Sequence, residues 1–338
     1  MTQLSIKRVF SKEEMLSYSE ILRNSIYAKS KLLQFAAINS FDDAHLVFAL
    51  FVFKHNIPLA QLGVYNNPEL IYNNQKVLAI GNFECIYSDD ISDLLFTEVE
   101  RYAKEIGCIY IIGPMNGSTW SNYRFIVQGD EKVFFTETFH PGRYNTLFLN
   151  AGFTSIAKYI SARDVTLNCN KAEIESTKNK FIEKGVTFRN MRLEKFDEEL
   201  KKIYHFTIQS FKNNFLYTPI TYETFYQKYF GIKGFINSSY VLLSEYKGEL
   251  AGLIFCIEDI YNTEQKSLII KTLARLNIRE LAGLGTLLGD MIIQKAAEDG
   301  FSSVIHAFMH EQNVSAKISE DKSGEVFRRY ALYAKSIK

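Results

Sequence analysis

Between Ser302 and Ala316 the chain reads SSVIHAFMHEQNVSA, an apolar run that ends in His306, His310 and Glu311. The imidazoles take up and release protons near neutral pH and a carboxylate can accept one, so each is a candidate general base, as is Glu258 upstream. His306 and His310 would share a face only on a helix. SSVIHAF reads instead as a strand, and no third ligand follows, so the pair is not a zinc motif. A second candidate is Gly283-Leu284-Gly285, just before a helix that opens at Thr286. Glycines there let main chain approach a ligand, and the free N–H groups of a helix start suit a pyrophosphate. Arg275 and Arg279 would add positive charge. A third is GPMNGSTWSNYRF, residues 113–125, which holds the one Trp of the chain beside Asn, Ser, Thr, Tyr and Arg.

The elements that must position these residues occur twice. Phe51–Tyr65 and Leu243–Ile257 each read as strand, tight turn, strand. Lys54-His55-Asn56 is aligned with Lys247-Gly248-Glu249, and Leu59-Ala60 with Leu250-Ala251. LLFTEVERYAKEIG (Leu94–Gly107) and LLGDMIIQKAAEDG (Leu287–Gly300) are amphipathic helices, each ending at a glycine. Each leads into a short apolar strand, Cys108–Gly113 or Ser302–Phe308, and then a loop with Met, Asn and Ser. Two matched segments in one order and register mark an internal repeat. At the turn before the first helix, Asp89, Asp90 and Asp93 stand where the second copy has its glycines. Carboxylates repel a pyrophosphate and suit a helix N-cap, so only the second copy is built for phosphate.

The repeat and the length of 338 residues predict an α+β protein of two similar domains, each a mixed, mostly antiparallel sheet flanked by helices. The expected boundaries are 1–167 and 186–338, with the polar stretch 168–185 as connector. The 39 basic and 38 acidic residues leave a net charge of +1, with no basic field for nucleic acid. Four scattered cysteines read as buried thiols in a reducing compartment. The N-terminus lacks the apolar core of a signal peptide, and LVFALFVF is too short to span a bilayer. The expectation is a cytoplasmic protein with no membrane partner. Oligomeric state is left open.

Strand, GxG loop, helix, strand and Asn, in that order, resemble the GNAT (GCN5-related) N-acetyltransferases, whose phosphate loop reads Q/R-x-x-G-x-G/A. The window here is Glu280-Leu281-Ala282-Gly283-Leu284-Gly285, with Glu280 in the Arg/Gln place and Arg279 one residue early. Asn313, Ala316 and Gly324 fall at further family positions, while Glu320 and Glu325 replace the usual Tyr and Phe. The likeness extends over most of the chain as a tandem GNAT-like protein, with poorer motifs in the first half.

The resemblance implies transfer of an acyl group from acetyl-CoA, or another acyl-CoA, to an amine on a small molecule or a protein lysine. It implies a cofactor held by Leu273, Ala274, Arg275 and Leu276 of the strand, by Arg279, Ala282, Gly283, Leu284, Gly285 and Thr286 of the loop, and by Asn313 and Ala316. The base is open among Glu258, His306, His310 and Glu311, and the acid among Ser319, Tyr330 and Tyr333. Asn116, Ser118, Trp120, Asn122 and Arg124 are expected either to face the acceptor as a wall or to form a joint. The alternative function is an inactive CoA- or ligand-sensing protein. An aminoacyl transferase of the Fem type ranks lower, for want of a heptad hairpin and basic surplus.

Overall fold

A computed structural model describes residues 4–36, 41, 44–86 and 88–337. In chain order the first half comprises β1 (Ser5–Val9), α1 (Lys12–Ile26), α2 (Lys31–Ala36), β2 (Leu46–Lys54), β3 (Ile57–Tyr65), β4 (Ile71–Tyr72), β5 (Gln75–Cys85), α3 (Asp89–Glu105), β6 (Tyr110–Gly113), β7 (Phe125–Gln128), α4 (Arg143–Asn150) and β8 (Thr154–Asp164). The second half comprises α5 (Lys171–Glu183), β9 (Val186–Asn190), α6 (Phe196–Phe211), α7 (Tyr222–Phe230), β10 (Val241–Tyr246), β11 (Glu249–Glu258), β12 (Ser267–Arg275), α8 (Leu284–Glu298), β13 (Ser303–His310), α9 (Val314–Asp321) and β14 (Glu325–Ser336). The class is α+β, as the repeat requires.

Both halves build the same pattern of strand pairing. β1-β2-β3-β5 and β9-β10-β11-β12 are antiparallel, and each run ends in a parallel pair, β5 with β6 and β12 with β13. The hairpins match in detail. His55-Asn56 and Lys247-Gly248 all have positive φ, the type I′ turn whose twist suits flanking strands. Each hairpin then carries one unpaired residue, Leu59 in the first and Ala251 in the second. The pairing expected from sequence, Leu59-Ala60 with Leu250-Ala251, is therefore one residue out, because the turn spans two residues and not three. Gly107 and Gly300 follow the long helices at φ 73 and 74, as expected of glycines past a helix end.

The compact units do not end where the repeat ends. One consists of Met1–Lys158, Phe215–Thr218 and Arg328–Lys338; the other of Tyr159–Asn214 and Pro219–Phe327. In the first, Tyr333 to Ser336 of β14 pair with β6, and Arg329 to Ala331 pair with β7. In the second, Tyr159 to Asp164 of β8 pair with β13. Each half of the sequence thus lends the greater part of its last strand to the unit built by the other half. The stretch read as a connector is mostly α5, and Ile174 and Phe181, one face of that helix, are buried against Leu284, Leu287 and Leu288 of α8.

The first unit's core is aromatic: Phe83, Phe96, Phe125, Phe148 and Phe153 meet edge-on, tilted or stacked at 4.8–6.2 Å. The second unit's core is mainly aliphatic, with Ile254, Leu268 and Ile270 of the sheet under Leu284, Leu288 and Ile292 of α8. No helix among the described residues is long and apolar enough to cross a membrane.

The borrowed strand is fastened in the first unit by a buried ion pair. Arg328, 2% exposed, donates from Nε to Glu137 Oε1 at 3.1 Å and from Nη2 to the carbonyls of Glu131 and Lys132. Tyr330 donates to the same carboxylate at 2.6 Å. Burial pushes the Glu137 carboxyl upward in pKa, against the pull of Arg328. Removing one partner of such a pair leaves an uncompensated charge. Arg328→Ala is expected to cost about 3–5 kcal/mol in urea unfolding, and Arg328→Met combined with Glu137→Leu much less.

Candidate functional site

In the second unit, β12 and β13 pair from Ser267/Ser303 to Ile270/His306 and then part. β12 continues to Arg275 against β11 alone. β13 turns aside at Phe308, which has φ 58 and donates its N–H to Ser161 Oγ at 3.1 Å. Leu276 N–H donates to Ala251 O at 2.8 Å, which makes Arg275 and Gly252 a non-hydrogen-bonded pair. By alternation, Leu273 and Arg275 turn their N–H groups toward the side β13 has left, while Ala274 and Leu276 turn theirs to β11. Two of the four expected main-chain groups therefore face the cleft.

The start of α8 lies after the end of β12. Arg279–Leu281 forms a short 3₁₀ turn, and Leu281 is buried as its anchor. Gly283 takes φ 89, a left-handed conformation that side chains resist, and the helix begins at Leu284, two residues before the expected Thr286. No side chain caps this end, and no acidic residue stands in its first turn. A Cβ on Gly285 would have only Ile318 Cδ1, at 3.9 Å, within 4 Å. Ala282 and Gly283 are exposed and Thr286 is half-buried. Leu284 and Gly285 are buried, so the exposed approach to this helix start is at Ala282 and Gly283. The Arg275 guanidinium bonds Leu276 O at 2.8 Å, so it is held on its own segment; Arg279 is exposed.

The first unit has the same geometry, filled in. β5 and β6 pair from Val77/Tyr110 to Ala79/Ile112 and then separate. The loop after β6 folds back onto the opened edge: Met115 N donates to Ile80 O at 2.6 Å, and Asn82 N donates to Asn116 Oδ1 at 2.9 Å. A Cβ on Gly81 would collide with that amide oxygen and with the Met115 carbonyl. Further along, Cys85 N donates to Tyr144 OH at 3.0 Å and Arg143 Nη2 to Cys85 O at 3.4 Å. In register, Cys85 corresponds to Arg275. Asp89 and Asp90 occupy the first turn of α3, whose N-cap Ser88 makes no side-chain bond, so the aspartates act by charge inside the helix start and not as its cap.

Of the residues expected to face an acceptor, Asn116 and Ser118 are buried and spent within the first unit. Ser118 Oγ accepts from Trp120 N at 3.3 Å, and Trp120 Nε1 donates to Thr218 O at 2.9 Å, in the same unit. Arg124 stacks over Tyr123 at 4.2 Å, and Asn122 is exposed. Tyr330, an acid candidate, is buried and bonded to Glu137 in the first unit. Tyr333 donates to Asn145 Oδ1 at 2.7 Å there, its pKa pushed up by burial to about 12.

His306 is buried, and its Nε2 has no hydrogen-bond partner among the described residues. Burial lowers its pKa to about 4, with Asp164 opposing, so the ring is neutral at pH 7. His310 is half-buried, lowered in the same direction by burial, and accepts from Gln312 N at 3.2 Å through Nδ1. Glu311 is exposed on the turn that follows β13. Asn313 is exposed at the start of α9 and makes no side-chain cap, and Ala316 packs on Ile160, Ala162 and Met309. Among the described residues no group of three His, Cys, Asp or Glu side chains could hold a metal ion.

No protein-family model matches the sequence, and no curated protein matches it either. Solved structures do match in shape. A fungal multi-domain GH3 β-N-acetylglucosaminidase, noted for a GCN5-related glucosamine N-acetyltransferase region, aligns with TM-score 0.62 and 11% identity over 99% of this chain and 38% of that one. The chain thus spans little more than a third of that relative. A tandem GNAT protein from the clavulanic acid biosynthesis pathway aligns over 99% of both chains, with TM-score 0.57 and 9% identity. A probable N-acyltransferase from Enterococcus faecalis V583 aligns with TM-score 0.58 and 10% identity, over 100% of this chain and 73% of that one. The chain has a tandem GNAT fold.

One buried group escaped the sequence reading. Glu84, the lone carboxylate in VLAIGNFEC, is 2% exposed and accepts from Tyr27 OH at 2.8 Å and Tyr144 OH at 2.7 Å. Burial raises its pKa to about 7, against the two tyrosine hydrogen bonds. A carboxyl raised in the fold contributes stability that is complete below its unfolded pKa and lost as pH rises through about 7. Glu84→Gln is therefore expected to match the wild type near pH 4.5 and to be more stable at pH 8, by roughly 2 kcal/mol in urea titrations.

Proposed function

We propose that the chain is an acyl-CoA-dependent N-acyltransferase whose cofactor binds in the second unit, at the cleft between β12 and β13 and the start of α8. The observation that carries this reading is the contrast between two copies of one geometry. In the second, the parted strands adjoin a helix start with no side-chain cap and no acid, opened by the left-handed Gly283. In the first, the corresponding edge is filled by Asn116 and Tyr144, and the helix start carries Asp89 and Asp90.

The residues present fit the group. The N–H groups of Leu284, Gly285 and Thr286 suit a pyrophosphate by orientation and partial charge. The outward N–H groups of Leu273 and Arg275 suit the carbonyls of an extended pantetheine arm, by the geometry with which a strand edge pairs. When bound, acyl-CoA supplies an activated thioester carbonyl. The chain's part is to hold it, to shield it from water and to direct an amine to it; main-chain N–H groups preorganised at such an edge stabilise a developing oxyanion. No enzyme nucleophile is required. The acceptor is an amine of a small molecule or of a protein lysine, and the acyl group is acetyl or longer.

Isothermal titration with CoA and acetyl-CoA, run beside turnover on a panel of amines, tests the reading. Binding with turnover on at least one amine is expected. Binding without turnover on any would favour a sensor, to which the exposed Glu320 at the family's usual Tyr place already lends support. No binding would end the proposal. Gly285→Glu is expected to lower CoA affinity by about 100-fold or more by bulk and charge at the phosphate end, which corresponds to roughly 2.8 kcal/mol. Asp90→Ala, in the filled copy, should leave affinity unchanged.

A further inference from the structure

α5 belongs to neither copy of the repeat. It lies between β8, the last strand of the first half, and β9, the first strand of the second. Its sequence, KAEIESTKNKFIE, is polar, and only Ile174 and Phe181 in it are buried. Those two share an apolar cluster with Leu284, Leu287 and Leu288 of α8. The two helices run antiparallel. At one end Lys171 Nζ meets Glu298 Oε1 at 2.8 Å. At the other, a Cβ on Gly283 would have only Phe181 Cζ, at 4.0 Å, beside it. The last turn of α5 therefore stands next to the start of α8.

Lys184 closes α5 as its C-cap residue and is exposed. It follows Phe181 at the i, i+3 spacing that makes helix neighbours. Its Nζ stands 5.1 Å from the centre of the Phe181 ring. One ring thus separates this ammonium from the main chain of Gly283, where the start of α8 is open to solvent. A cation at a helix C-terminus also complements the helix dipole, but Lys180 in the last turn of α5 does that already. The approach to α8 is poor in net charge of its own. Glu280 and Arg279 are neighbours, both exposed, and oppose each other, while the Arg275 guanidinium is held on Leu276 O. A phosphate at Ala282 and Gly283 would find its nearest uncancelled positive charge on α5.

We propose that Lys184 is a cofactor ligand supplied from outside the repeat, and that it binds a phosphoryl group at the nucleotide end of acyl-CoA. This rests on the cofactor reading above. The pyrophosphate and the 3′-phosphate offer the same chemistry, an exposed anionic oxygen that accepts from an ammonium. The four-carbon stem of Lys184 lets its head swing from the Phe181 ring to such an oxygen while α5 stays packed on α8. The contact is exposed, so it contributes modestly and is screened by salt. Phe181 is the anchor that fixes where the lysine begins, and Lys184 is the group that touches the ligand. The helix that joins the two halves is then part of the cofactor site.

The test is isothermal titration of CoA, and of dephospho-CoA, which lacks the 3′-phosphate, into the wild type and three variants at low and high salt. Lys184→Gln is expected to weaken CoA about fivefold or more at low salt, and less at high salt, where charges are screened. Lys184→Arg keeps the charge and should stay within about twofold of the wild type. Lys171→Gln makes the same charge change at the far end of the same helix and should leave affinity unchanged. If the lysine meets the 3′-phosphate, Lys184→Gln and the wild type bind dephospho-CoA alike. If it meets the pyrophosphate, the loss is as large with dephospho-CoA as with CoA. Either pattern supports the proposal. A Lys184→Gln that binds CoA within about twofold of the wild type overturns it, because the lysine then serves only the helix end. An equal loss in Lys171→Gln overturns it too, because the effect is then general to the charge of α5. If the wild type does not bind CoA at all, the proposal falls together with the cofactor reading, and that result is distinct from a variant that binds as the wild type does.

Discussion

A parallel strand pair that stops pairing halfway leaves a row of main-chain groups with no neighbour, and buried N–H groups are seldom left so. Both halves of this chain build that situation, at Ala79/Ile112 and at Ile270/His306. What each half does with the opened edge decides its role. The first closes it with side chains: Asn116 accepts from Asn82, Tyr144 accepts from Cys85, and the loop after β6 is drawn in over Gly81. The second turns β13 away at Phe308 and leaves β12 to face a cleft. The same backbone is a sealed core in one copy and a candidate ligand edge in the other.

Closing the edge had consequences nearby. Tyr144 can reach the main chain of Cys85 only because α4 brings it to the end of β5, and its hydroxyl is then also the donor to Glu84. A carboxylate in that place is tolerated because two phenols share it, yet burial still raises its pKa. Each substitute hydrogen bond stabilises by about 1 kcal/mol net, so the first unit gains rigidity from the network. The second unit runs the opposite way. It keeps a helix start without a side-chain cap, and His306 Nε2 and Ser319 Oγ have no partner among the described residues, each a local loss of stability.

Much of this was legible in the residues. The hairpins, the helices that end at Gly107 and Gly300, and the strand Ser267–Arg275 follow from apolar alternation and turn chemistry. The contrast between Gly283-Leu284-Gly285 and Asp89-Asp90 also follows, since charge and backbone freedom are local properties. The turn register slipped by one because a two-residue I′ turn with a following bulge is not visible in side-chain patterns. RRYALYAK alternates as a closing strand on which Tyr330 and Tyr333 pack, but nothing local tells that β14 pairs with β6 and β7, so both also stand as acid candidates. Likewise Asn116 reads as a surface ligand until Gly81, 35 positions earlier, is seen to make room for it. Long-range pairing decides such cases, and propensity carries no record of it.

Strand exchange explains why a half with no phosphate loop of its own would be kept. The edge of β13 that bears His306 is covered on one side by β12 only as far as that residue. Its other side is covered by β8, and β8 is written in the first half. Without it, Ala162 would be missing from beside His306, and a long apolar edge would be open to wrong pairing. The reverse loan is as strict, since β14 brings Arg328 and Tyr330 to Glu137, and a carboxylate so buried is costly without them. Each sheet therefore needs the other half's last strand. Deletion of the first copy would remove a strand that the second sheet needs.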